Sequence, residues 1–201
     1  MSIEEKILKR IKAIPKGQLF LPVDFIDLGS SEAIRVSLFR LEKEATIKRV
    51  AQGIYVRPKQ SRLIGPLTPS AEDVAKAIAK RDRIRTLPTG SYALNILGLS
   101  TQVPMNIVLL TDGSPREIKV GKRTIKFKKT TPKNLLAKGK ISRLVIQALK
   151  EIGNGKVSIG EQKKILALLK KENKQDLLHD TALAPVWIQK IMKQALKDAQ
   201  N

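Results

Sequence analysis

Apolar residues at the start of the chain fall at helical spacing: Ile3, Ile7, Leu8, Ile11 and Ile14 share one stripe. That spacing predicts an amphipathic helix from Ser2 to Ile14. Ser2 and Glu5 stand at capping-box separation, and Pro15-Lys16-Gly17 ends the helix. Pro22 opens a short second helix that Gly29 closes, and Ser30 or Ser31 caps a third. In the third helix Ile34, Leu38, Leu41 and Ala45 form a narrow inner stripe. Glu32, Val36, Arg40 and Lys43 lie opposite, with Arg35 and Phe39 at the flank. The period then changes. Ile47 to Val50 and Ile54 to Val56 are β-prone runs around Ala51-Gln52-Gly53, where glycine supplies the positive φ of a tight hairpin. Pro58 cannot donate to a ladder and ends the second run.

The stretch from Lys59 to Ser70, rich in Pro, Ser and Gly, reads as a linker, after which Ser70 caps a helix through about Lys80. A short helix from Ser91 to Leu97 stops at Gly98, and Val103 to Thr111 is a strand turned by Asp112-Gly113-Ser114-Pro115. A hairpin follows around Gly121-Lys122. Ile118, Val120, Ile125 and Phe127 face one way, and Lys119, Lys126 and Lys128 the other. Helical patterns return over Ile141–Ile152, about Ile159–Lys171, and Ala184–Ala199, the last with Trp187, Ile188 and Ile191 as a packed face. The expected fold class is α+β. A winged helix-turn-helix would occupy residues 1–60, and a mixed α/β domain with a basic hairpin and C-terminal helices residues 67–201.

Charge gives this layout a partner class. Lys and Arg number 39 against 18 Asp and Glu, a formal net charge of +21. The excess is spread evenly: thirteen bases against seven acids in residues 1–66, twelve against five in 67–131, and fourteen against six in 132–201. Such a field draws polyanions, with a solvated surface as the plainer alternative. A basic helix running into a basic hairpin suits duplex DNA, because a helix about 10–12 Å wide fits the major groove. Arg35 and Arg40 are then the candidates to fork onto guanine. Ser31 and the helix N-terminus would hold a phosphate, with Lys43, Lys48, Arg49 and Arg57 gripping the backbone. Glu32 either orients an arginine or accepts from cytosine. The same module can also dock proteins. With aromatics at 3 %, a surface that stacks single-stranded bases is disfavoured. The hairpin residues Arg116, Lys119, Lys122, Arg123, Lys126 and Lys128 form either a solvated face or a contact surface for RNA, DNA or an acidic protein.

Other chemistries find little support. Cysteine is absent, which removes disulfides and thiolate metal sites. The lone His179, beside Asp180, reads as a surface or helix-end residue. Glu117-Ile118-Lys119 has the E-x-K form of one nuclease class, but the nearest upstream carboxylate, Asp112, sits in the turn. No P-loop, G-x-S-x-G or dinucleotide fingerprint occurs, so neither an enzyme nor a cofactor nor a metal is expected. No apolar run approaches the roughly 20 residues of a membrane span, and the N-terminus "MSIEEKILKR" carries acids where a signal peptide is basic. A cytoplasmic, membrane-free protein is the expectation.

The segment "LEKEATIKRVAQGIYVRP" resembles the helix-to-wing passage of the abortive-infection (AbiE-type) antitoxins. "YALNILGLSTQVPMNIVLLTDGSPREIKVGKRTIKFKK" is similar to the core of their second domain, with "GLSTQVP", Gly98 to Pro104, the most specific part. The resemblance covers about Ile3 to Lys138, with one departure: Ala45 stands where that family's third helix usually ends in glycine. It implies a two-domain antitoxin of a toxin-antitoxin phage-defence system. The winged domain would repress its own operon at operator DNA, and the second domain would counteract a nucleotidyltransferase-type toxin. By position, DNA contacts fall on Ser31, Arg35, Arg40, Lys43, Lys48, Arg49 and Arg57, and toxin neutralisation on the hairpin and C-terminal helices. The alternative expectation is an RNA- or nucleoprotein-binding module without a toxin partner.

Overall fold

The structure, a computed structural model, describes residues 2–61 and 65–198 and is a mixed α+β fold. The chain divides into two compact units. One comprises Met1–Arg83 with Ile118–Thr124, and the other Ile84–Glu117 with Ile125–Asn201.

The first unit starts with α1 (Ile3–Ala13), β1 (Leu19–Phe20), a 3-10 helix (Pro22–Leu28) and α2 (Ser31–Lys43). The Ser2 hydroxyl accepts the Glu5 N–H while the Glu5 carboxylate accepts the Ser2 N–H, the expected capping box. Ser30 is the cap of α2, its hydroxyl accepting the Ala33 N–H at 3.2 Å, and Ser31 is the first helical residue. Ile7, Ile11, Phe25, Ile34, Leu38 and Leu41 close into one core, where Phe20 meets Phe25 edge-on at 5.7 Å. Arg10 on α1 clamps Asp27 with two hydrogen bonds of 2.6 and 2.7 Å, fixing the 3-10 helix against it.

The residues β2 (Lys48–Ala51) and β3 (Ile54–Val56) form the expected hairpin, with Gly53 at φ +65° in its turn. β1 adds to it antiparallel, Leu19 opposite Val56, giving the sheet order β1-β3-β2. Two residues show nothing periodic, which is why β1 escapes a reading by pattern.

Ala45, expected on the buried stripe, instead lies past the helix end, exposed and in the left-handed region at φ +55°. Its N–H bonds the Glu42 carbonyl and the Thr46 N–H bonds the Leu41 carbonyl, both at 3.0 Å. These are the two bonds of a Schellman cap, whose left-handed residue is normally glycine. An L-residue held left-handed costs about 1–2 kcal/mol, so Ala45→Gly should raise unfolding stability by about 1 kcal/mol in urea denaturation.

The expected linker folds. Lys59–Ser61 (β4) and Gly65–Leu67 (β5) pair antiparallel, and α3 (Ala71–Asp82) packs on β1 and β3. The first unit therefore runs past the expected boundary at 60–67 to Arg83. The Arg81 guanidinium donates to the Gln52 carbonyl in the hairpin turn, tying α3 to it.

In the second unit β6 (Thr86–Pro88) pairs antiparallel with β7 (Asn106–Thr111), next to α4 (Ser91–Ile96). β8 (Arg116–Val120) and β9 (Arg123–Lys129) complete a sheet of order β6-β7-β9-β8, the hairpin tip being counted with the first unit. A 3-10 turn (Pro132–Leu135) leads to α5 (Ser142–Ile152), α6 (Ile159–Leu169), α7 (Lys174–Leu183) and α8 (Val186–Asp198). The expected end of the last helix at Ala199 lies outside the described residues. Val145, Leu149, Ile165, Leu169, Ile188 and Met192 form the helical core, with Trp187 and Ile191 packed partly buried against it. Among the described residues no helix is long and apolar enough to cross a membrane.

Candidate nucleic-acid interface

The inner face of α2 is committed to the core: Ile34, Leu38 and Leu41 are each at most 1 % exposed. Helical geometry then leaves Ser31, Glu32, Arg35, Val36, Phe39, Arg40 and Lys43 on the outside, all of them exposed. The Schellman turn at Ala45 sends the chain straight into β2, where Lys48 and Arg49 are exposed opposite Val56 and Tyr55. Burial pushes the Tyr55 hydroxyl pKa up, with Arg49 acting against it.

Two arginines of this face rest on carboxylates. Arg35 pairs with Glu32 at 2.6 Å and Arg40 with Glu4 at 3.3 Å, while Lys43 lies over the Phe39 ring at 4.7 Å. Exposed pairs of this kind are worth about 0–1 kcal/mol, so an arginine leaves one readily for a phosphate or a guanine. Glu32, one turn from Arg35, is that residue's carboxylate partner on the exposed face. Arg40, Val36, Ser30 and Glu4 also line a cleft of about 540 Å³ beside the α1 N-terminus.

Arg57 stands apart from the other predicted contacts. Its guanidinium donates to the Lys12 carbonyl at 2.7 Å and the Ile14 carbonyl at 3.4 Å, capping the C-terminal end of α1. Its position thus serves the fold, joining β3 to α1. Pattern reading missed Arg81, which reaches the hairpin turn from the last turn of α3. The signal was a basic residue at a helix C-terminus, too common to single out.

Residues 6–177 match DUF6088, a family of unknown function. The chain belongs to that family. No curated protein matches it.

The basic hairpin of this DUF6088 chain divides by role. Val120, Ile125 and Phe127 are buried, as their alternation predicts. The Arg116 guanidinium lies over the Phe127 ring at 5.2 Å, Arg123 pairs with Glu72 at 2.7 Å, and Lys126 with Glu117 at 2.9 Å. Lys119, Lys122 and Lys128 are exposed. The E-x-K triplet is thereby accounted for, with Glu117 on Lys126. Asp112 accepts the Arg85 N–H and Nε–H, both at 2.8 Å, bonds that hold its carboxyl below the usual range. Among the described residues no group of three or more His, Cys, Asp or Glu side chains is placed to hold a metal ion.

Ser142, His179 and Asp180 converge in the second unit, in an order unsuited to nucleophilic catalysis. A serine nucleophile must bond the imidazole. Here the Ser142 hydroxyl donates to Asp180 Oδ2, and His179 Nδ1 meets Oδ1 at 2.8 Å. Ser142 and Asp180 are both fully buried. The same carboxylate accepts the Lys138 and Gly139 N–H groups at 2.8 Å, and Glu172 Oε2 accepts those of Ile141 and Ser142 at 2.5 and 3.0 Å. Two acids distant in sequence thus cap the start of α5. Burial pushes the Asp180 carboxyl up, but its hydrogen bonds outweigh that and hold it below the ordinary value.

Proposed function

We propose that the first unit is a winged helix-turn-helix that binds operator DNA. On this reading the chain is an autorepressing antitoxin acting against a nucleotidyltransferase-type toxin encoded beside it. The observation that carries the DNA reading is the exposed basic face of α2 followed, past the turn at Ala45, by exposed Lys48 and Arg49 on the β2–β3 hairpin. Helix α2 presents Arg35 and Arg40 for the major groove, and Lys48 and Arg49 lie on the hairpin for the phosphate backbone. The sheet order β1-β3-β2, with β1 placed between α1 and the 3-10 helix, suits a winged helix. The antitoxin role rests on the resemblance in residues 3–138, and the exposed Lys119, Lys122 and Lys128 are its proposed contact surface.

Lys48→Ala should weaken operator and random DNA about equally and lower the slope of log K against log salt by about one. A loss confined to the operator would move Lys48 from backbone to base contact. For the antitoxin role, the full chain co-expressed with the neighbouring toxin gene should restore growth. A Lys119→Glu, Lys122→Glu, Lys128→Glu variant should not. Full rescue by that triple variant would remove the hairpin from the proposal, and no rescue by the wild type would remove the antitoxin role.

A further inference from the structure

A cavity of about 330 Å³ opens in the second unit between β6 and the turn that precedes α5. Arg85, Asn134 and Arg143 line it, and a smaller adjoining recess adds Lys133 and Lys150. No carboxylate lines either part among the described residues. The Arg143 Nε–H is buried and has no hydrogen-bond partner, so one donor of a charged group is left unmet beside the cavity. The Lys150 ammonium meets a neutral acceptor, Asn134 Oδ1, at 3.5 Å. Lys150 is exposed as a residue, yet partial burial of its side chain lowers the pKa of its ammonium. A water would satisfy the orphan donor but leave these charges unbalanced; an anion does both.

We propose that this cavity binds a phosphate monoester of mononucleotide size. Its volume is at the small end for ligand sites, too small for a polymer and ample for phosphate plus a planar body. Leu87 and Leu135 supply the apolar wall against which such a body would lie. The phosphate oxygens take the donors of Arg143 and Lys150. Arg85, whose Nε is held by Asp112, adds the rest of its guanidinium. This site is independent of the DNA-binding reading, since every residue named belongs to the second unit.

Calorimetric titration of the full-length chain with AMP, the other nucleoside monophosphates, inorganic phosphate and adenosine tests the proposal. At least one monophosphate should bind saturably, one per chain, with inorganic phosphate weaker and adenosine silent. Arg143→Gln and Lys150→Gln should each weaken that binding at least about tenfold. Lys128→Gln, which removes the same charge from the exposed hairpin, should change it less than about twofold. Equal losses in all three variants would mean diffuse attraction to a basic protein and overturn the site. So would the absence of saturable binding up to about 10 mM. If circular dichroism shows Arg143→Gln to be unfolded, Lys150→Gln, whose side chain reaches solvent, carries the same comparison.

Discussion

Asp180→Ala should lower the free energy of unfolding by about 3–5 kcal/mol, measured by urea denaturation at pH 7. The carboxylate is fully buried and accepts from Lys138 N, Gly139 N, the Ser142 hydroxyl and His179. Truncation leaves buried donors at the start of α5 without an acceptor, each worth about 1–3 kcal/mol, and opens a cavity. Gly139 belongs to the same device. A Cβ there would stand against the Ser142 hydroxyl and 2.5 Å from Glu172 Oε2, so Gly139→Ala should also destabilise. The sign of the pH effect follows from the lowered carboxyl pKa. The folded-state pKa lies below the unfolded value of about 3.9, so the stabilisation is present above that pH and is lost as pH falls through the folded pKa. Wild-type stability should therefore drop on acidification below about pH 4, and Asp180→Asn should show a shallower drop. Equal pH slopes in the two proteins would remove Asp180 from the account.

On the proposed DNA-binding reading, the second large effect is on operator affinity. Arg35→Ala and Arg40→Ala should each weaken operator binding by about 1–3 kcal/mol, with a smaller loss on random duplex. The double variant should approach the sum, because the two arginines lean on different carboxylates, Glu32 and Glu4. Both residues are exposed, so neither change should lower folding stability by more than about 0.5 kcal/mol. A fall in affinity without a fall in melting temperature is the signature to look for. If operator and random DNA lost affinity equally, the two arginines would be backbone contacts.

Long amphipathic elements were legible because burial follows their period. The stripe Ile34, Leu38, Leu41 and the alternation through Ile125 and Phe127 both face the core as read. α7 was missed for the converse reason: the face it buries is Leu177, Asp180 and Thr181, polar in two places of three. A buried Asp that caps a distant helix leaves no hydrophobic pattern, and only the folded chain brings it to Ser142. The paired strands β4 and β5 and the strand β6 are three residues each, too short for alternation to register, so the first of these segments read as linker. The basic face of α2 was legible residue by residue, since exposure on a helix follows from its opposite face. Arg57 was not, because its charge says nothing of the α1 carbonyls that it meets forty-odd residues away in sequence. Ala45 shows where pattern fails: apolar spacing put it on the stripe, while its φ of +55° places it in the turn past the helix end.

The most direct measurement is a fluorescence-anisotropy titration of the full chain on the duplex upstream of its own gene, beside a shuffled duplex of equal length at the same salt. The expected result is affinity for the upstream duplex at least about 10³-fold tighter than for the shuffled one, the difference collapsing in the Arg35→Ala, Arg40→Ala protein. Affinities within about twofold of each other would contradict it, leaving a basic protein that attracts any polyanion.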